Sequence, residues 1–302
     1  MVWENALYHK NGRAKQVNLT WLALILAILV VLGSSARGNA FVGVRALGMG
    51  GAYTAVCSDG AAVFWNPAGL MQLETSAVTL ALAFPTDGSA SYRGSISYLE
   101  QDSGYGAGAL TWYHLRDNPA QGPDGVLYDK TNDFSYSLAK PIGKHGYWGG
   151  TIHYTREKQA DHTVGRWTGD LAALVRLSDV VQVGAALFDV YDFIGNQSHA
   201  APQGSGSALQ AGLSLSPNDQ ITIAVDGYDL LNGRKARSLR FGGEYRVSGG
   251  PALRAGLQRG IDVDWEAWSL GAGIDLNQWE LAYAYLGGDY NGVHSMGFTW
   301  RF

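Results

Sequence analysis

Fourteen stretches of this chain alternate apolar residues with small or polar ones at a spacing of two, most of them over about ten residues. Between 268 and 276 the even positions hold Trp268, Leu270, Ala272, Ile274 and Leu276, and the odd ones Ser269, Gly271, Gly273 and Asp275. The C-terminus repeats the rule, with Met296, Phe298, Trp300 and Phe302 on one face and Gly297, Thr299 and Arg301 on the other. Successive side chains of a strand point to opposite faces, so each stretch carries one greasy side and one of Gly, Ala, Ser and Thr. The stretches fall near 75–84, 91–100, 105–115, 132–140, 148–156, 166–177, 181–190, 208–216, 220–228, 238–247, 251–259, 266–276, 279–286 and 293–302. A tilted strand of about nine to eleven residues is what crosses a bilayer core.

The connections sort by parity. Those after even-numbered stretches are short, as at Gln101–Gly104 and Asn277–Gln278, whereas Arg116–Thr131 and Tyr191–Ser207 follow odd ones. A soluble sandwich has no reason to sort its loops in this way; a transmembrane barrel, with tight turns at one end and larger loops at the other, does. Trp112, Tyr113, Trp148, Tyr154, Trp167, Trp279 and Trp300 stand near strand ends, where aromatic girdles form. Charged residues make up 16% of the chain, against about 25% in ordinary soluble domains. The expected fold is therefore all-β: a transmembrane antiparallel β-barrel of about fourteen strands over residues 75–302. Phe298, Trp300 and Phe302 are the expected C-terminal signal for the barrel-assembly machinery.

Residues 1–40 read as a cleaved signal peptide. Lys10, Arg13 and Lys15 precede an uncharged apolar run from Leu19 to Leu32, too short to span a bilayer comfortably. Gly38-Asn39-Ala40 places the cut after Ala40, with Ser34-Ser35-Ala36 as a second site. Cleavage takes out Glu4 and four basic residues and moves the formal charge from −4 to −7. The chain is expected in the outer membrane of a two-membrane bacterium, with outer-membrane lipid as its first partner. No basic cluster is present to attract nucleic acid. The single cysteine, Cys57, allows no internal disulfide.

Residues 41–74 break the alternation. Arg45, Gly48, Gly50 and Gly51 lie in a glycine-dense run that lacks the period of a strand, and Asn66-Pro67-Ala68 favours a turn, Pro67 having no backbone donor. Phe41-Val-Gly-Val-Arg-Ala-Leu-Gly-Met-Gly-Gly-Ala-Tyr53, with Asn66-Pro67-Ala68 and the terminal aromatic, resembles the FadL-like superfamily of outer-membrane proteins, and in particular its PorV/PorQ-like branch. The resemblance implies that residues 41–74 form a hatch folded inside the barrel, with Arg45, Gly48, Gly50, Gly51, Asn66, Pro67 and Ala68 as its gating residues. The FadL side implies passive transport of small hydrophobic solutes, fatty-acid-like or hydrocarbon. The PorV side implies a scaffold or shuttle for exported proteins and components of a secretion system. About 262 mature residues leave little chain for large outer loops.

Strand parity also collects charge on the inward face. Arg240, Glu244 and Arg246 alternate with Leu239, Phe241 and Tyr245, and Arg254 and Gln258 with Leu253, Ala255 and Leu257. With Asp226 and Asp275 they are expected to form a lumen polar network, since a buried charge is tolerated only when paired or hydrated. His153 and Asp170 share inward parity, yet no GxSxG, HExxH or similar motif accompanies them. Gly48-Met-Gly-Gly-Ala-Tyr53 lacks the third glycine of a dinucleotide loop. The sequence points to no enzyme activity, cofactor or metal.

Overall fold

The computed structural model describes residues 42–86, 91–116, 128–159, 162–190, 208–231, 237–289 and 292–302. The expected signal peptide and its cut after Ala40 lie outside the described residues, as does Phe41. Fourteen strands follow in order: β1 (Ala77–Pro85), β2 (Tyr92–Glu100), β3 (Ala107–Arg116), β4 (Tyr128–Ile142), β5 (Gly146–Gln159), β6 (His162–Arg176), β7 (Val181–Phe188), β8 (Ala208–Asn218), β9 (Ile221–Tyr228), β10 (Ser238–Arg246), β11 (Ala252–Gly260), β12 (Glu266–Leu276), β13 (Trp279–Gly288) and β14 (Val293–Arg301). Each pairs antiparallel with the next, and β14 returns to β1 in a continuous register from Ala77↔Arg301 to Pro85↔Val293. Closure of β14 onto β1 leaves the sheet no first or last strand open to the bilayer, where no water could satisfy it.

Alternation sets the two faces. Along β11 buried Ala252, Arg254, Gly256 and Gln258 interleave with exposed Leu253, Ala255, Leu257 and Arg259. Leu80, Ile96, Leu110, Phe134, Ile152, Leu213, Ile223, Phe241, Leu270 and Met296 carry the same exposed apolar face around the wall. A soluble protein would not present such a continuous girdle to water; hydrocarbon is its natural solvent. Trp112 and the tilted pair Tyr154–Trp167, with centroids 4.9 Å apart, stand toward one end. Trp148, Trp279 and Trp300 stand toward the other, with Trp279 and Trp300 stacked at 5.8 Å. Phe302 continues that ladder, 5.0 Å from Trp300 and 6.4 Å from Tyr98 across the seam.

Two expectations differ from the structure. Tyr113 does not join the girdle: it follows inward Ala107, Ala109 and Thr111 and meets the ring of Phe64 edge-on at 5.9 Å. The connection between β5 and β6 is short although it follows an odd strand, because β4, β5 and β6 run to 15, 14 and 15 residues and absorb the chain assigned to loops. Their surplus over a membrane-crossing length pairs on beyond the belt. The remaining strands lie close to their expected bounds.

Candidate functional site

The space that inward Gly, Ala and Ser leave is occupied by residues 42–76. From Val42 the chain forms a short helix α1 (Val44–Gly48) and a tight turn through Gly50 and Gly51, at φ 63° and 70°. That left-handed backbone favours glycine. A second short helix, α2 (Ala62–Trp65), leads to a 3₁₀ turn, Pro67–Gln72, and then to β1. Asn66 begins this turn by accepting from Ala68 N at 3.1 Å, while Pro67 sits where no donor is needed. The Asn66 amide also donates to Thr54 O at 2.8 Å and to Ala173 O of β6 at 3.1 Å. The Asn-Pro-Ala triplet thus ties the segment to itself and to the wall.

Glycines of the wall let this backbone approach. A Cβ on Gly256 would fall on Gly50 N, one on Gly242 on Met49 O, one on Gly184 on Thr54 O, and one on Gly149 on Ala68 N. Gly271 and Gly297 likewise face Gly48 Cα and the Val44 side chain. Gly242 and Gly256 are direct cross-strand partners, as are Gly184 and Gly212. The inner segment therefore follows a track of missing side chains from β14 through β12, β11 and β10 to β8, β7 and β5.

Polar side chains fasten it. Arg45 donates through Nε and Nη2 to the two oxygens of Glu244, at 2.8 and 2.9 Å, and through Nη1 to Ser58 Oγ at 2.9 Å. Glu244 also accepts from Arg254 Nε at 2.7 Å and Arg246 Nε at 3.2 Å, so three guanidinium groups surround one buried carboxylate. Asp226, fully buried on β9, accepts at Oδ2 from Tyr53 N, Thr54 N and Thr54 Oγ1, at 2.8, 2.7 and 2.6 Å, and from Gln210 Nε2 at 3.0 Å. It satisfies backbone donors of a turn that has no strand partner. Gln182 and Ser214 reach Ala55 O, and Ser269 reaches Gly48 O.

The single polar network expected in the lumen is two clusters and a rim. Arg45, Glu244 and Arg254 form the first. Asp226 binds the segment's backbone, beside Arg240, whose guanidinium lies 4.1 Å from the Tyr228 ring centroid and 5.4 Å from that of Trp65. Gln258 stands directly across from Arg240 on β11. Asp275 belongs to the rim: half-exposed, it pairs with Arg301 at 2.7 Å and lies 3.6 Å from Arg246. It occurs two residues before the β12–β13 turn, so inward parity there faces the open mouth rather than the core.

Toward β1–β4 the segment presents apolar side chains. Phe64, Leu70, Met71 and Leu73 pack against Ala77, Leu99, Ala107, Ala109 and Ala139. Beside this contact, where Val42 and Gly43 approach Ala81, Ala83, Arg93 and Ser295, lies a narrow, partly open cleft with a cavity volume of about 10 Å³.

The inward His153 is held on both sides, Nδ1 to Asp133 Oδ1 at 2.9 Å and Nε2 to Asp170 Oδ2 at 3.0 Å. Both ring nitrogens are thus engaged by carboxyl groups of the neighbouring strands. Thr155 Oγ1 and Asp189 N complete the two carboxylates. Among the described residues no group of three or more His, Cys, Asp or Glu is placed to hold a metal ion.

No protein-family model and no curated protein sequence matches the chain. Solved structures do. The chain is similar to the CymD monoaromatic hydrocarbon channel, with a TM-score of 0.66 at 13% identity over 88% of this chain and 99% of that one. The toluene transporter TbuX of Ralstonia pickettii gives 0.64 at 13%, over 86% and 98%. A Pseudomonas aeruginosa FadL homologue gives 0.60 at 13%, over 90% and 99%. What they share with this chain is the fold, a closed antiparallel β-barrel. These likenesses lend nothing to the PorV/PorQ-like branch.

Proposed function

We propose that this chain is an outer-membrane channel for small hydrophobic solutes, with residues 42–74 acting as a hatch. The observation that carries the reading is the uneven attachment of that segment. Its hydrogen bonds and ion pairs described above go to β6–β12, whereas toward β1–β4 it meets the wall through apolar side chains and leaves a cleft beside Val42 and Gly43. An apolar solute loses nothing by sliding past Phe64, Met71 and Leu73, and a small shift of that face costs no buried ion pair. The solute moves down its own gradient, and no covalent chemistry is required. The fold it shares with proteins described as hydrocarbon channels and a toluene transporter supports the same solute class.

The test is uptake of labelled toluene by cells carrying the full chain in their outer membrane, beside cells carrying Ala83→Phe, which narrows the cleft. Uptake several-fold above that of cells without the protein, and reduced by the substitution, is expected. Uptake equal to that of empty cells overturns the transport reading. Mild extraction that instead recovers a stoichiometric exported protein on the barrel turns the assignment to a scaffold.

A further inference from the structure

The outer surface of the wall carries charge that neither the lumen nor the inner segment uses. On β3, β4 and β5 the outward side chains fall into cross-strand rows set by the register. An aromatic row joins Trp112 to Phe134 and Phe134 to Tyr154. Two residues further toward the same end come His114, Asn132 and Arg156, and two further again Arg116, Lys130 and Lys158. All four cations are exposed. Successive rows lie about 6.6 Å apart along the strands, so the charge begins directly above the aromatic row.

Like charges placed directly opposite weaken a sheet. Yet Arg116 is the register partner of Lys130, and Lys130 of Lys158. Among the described residues these rows hold no carboxylate from β2 to β6, and Arg116, Lys130 and Arg156 make no ion pair. Elsewhere at this end cations are matched within the protein: Arg237 pairs with Asp262, and Arg259 with Glu266 at 3.2 Å. The rows lie opposite the tight β12–β13 turn and Phe302, at what is the outer end in barrels of this kind. Below them Leu110, Trp112, Phe134 and Ile152 are exposed on the lipid-facing side, and an aromatic belt sits at headgroup level. A lipid whose chains lie on that apolar face therefore brings its headgroup onto the cations. Guanidinium forks and an ammonium match phosphate oxygens, and a free phosphate would have no use for the apolar face beneath.

We propose that the outward face of β3–β5 is a binding site for a lipid with anionic phosphates in its headgroup. Arg116, Lys130 and Arg156 hold the phosphates, and Trp112, Phe134 and Ile152 lie along the chains. The site is on the outside of the barrel and stands independently of what the lumen carries.

Native mass spectrometry of the full-length barrel in a non-ionic detergent tests it, with bisphosphorylated lipid A and zwitterionic phosphatidylcholine as probes. Lipid A is expected to stay bound under conditions that strip phosphatidylcholine. Combining Arg116→Gln, Lys130→Gln and Arg156→Gln is expected to weaken lipid A roughly a hundred-fold, about five-fold for each charge removed. Heat-modifiable mobility on gels shows that this variant is a folded barrel. Arg259→Gln, which removes an exposed cation from a distant strand, is expected to leave lipid A binding unchanged. Equal retention of lipid A by the parent and the triple variant overturns the site, as does an equal loss in Arg259→Gln. Release of lipid A by millimolar inorganic phosphate leaves a simple anion site and overturns the lipid.

Discussion

The inner segment meets the two sides of its barrel by different physics. Against β6–β12 it is held by directional bonds, with a carboxylate ringed by Arg45, Arg246 and Arg254, a second carboxylate capping Tyr53 and Thr54, and backbone laid onto wall glycines. Against β1–β4 it is held by Phe64, Leu70, Met71 and Leu73 on Ala and Leu. Hydrogen bonds in a dry interior fail abruptly when stretched, and a stranded charge is costly. Apolar contact is non-directional and tolerates sliding. A segment built this way has a fixed side and a yielding side.

The sharpest way to break the contrast is Glu244→Gln. Neutralising this carboxylate leaves the buried Arg45 and Arg254 uncompensated, and a loss of about 3–5 kcal/mol is expected in urea unfolding of the barrel in lipid. A loss under about 1 kcal/mol would mean that the fixed side is not fixed by charge. Gly256→Val comes next: its side chain has to displace the Gly50 backbone, and about 3 kcal/mol of destabilisation is expected in the same assay. Asn66→Ala removes a cap and two amide bonds, for about 2 kcal/mol. Met71→Ala on the yielding side is expected to cost about 1 kcal/mol, the burial of a partly exposed side chain.

Cys57 sharpens the comparison. The thiol is fully buried between Thr54 O and Asn66 O, and burial pushes its pKa up, so the reactive thiolate is scarce near neutral pH. Maleimide should label it slowly in the intact barrel and markedly faster in Glu244→Gln and Asn66→Ala, with Met71→Ala close to the parent. Rapid labelling of the parent protein would show that the segment leaves its seat without any substitution.

Much of the fold was legible because a strand's alternation is local. Trp268 to Leu276 and Met296 to Phe302 declare their faces residue by residue, and closure follows from fourteen such segments with nowhere else to pair. Arg240, Glu244, Arg254 and Gln258 were placed inward by the same parity. What parity cannot supply is height within the barrel and contact across the lumen, which depend on strand stagger. Asp275 and Asp226 have the same parity, yet one lies at the mouth and the other beneath a turn of the segment. Inward glycine marks a missing side chain without saying what takes its place; in the structure Gly149, Gly184, Gly242 and Gly256 are where another backbone rests. Tyr113 carried the signature of a girdle residue near a strand end, and only its partner Phe64, on a distant piece of chain, accounts for its inward face.

The meeting of Val44 with Gly297 has a consequence for the order of events expected during biogenesis. The earliest described stretch of chain touches the last strand, and the backbone between is laid against wall glycines on most strands in turn. Laying that backbone onto its seats is expected to be easier before the cylinder is zipped from β1 to β14 than by threading it through a finished mouth. On that order the hydrogen bonds between β14 and β1 would seal a package whose contents are already in place.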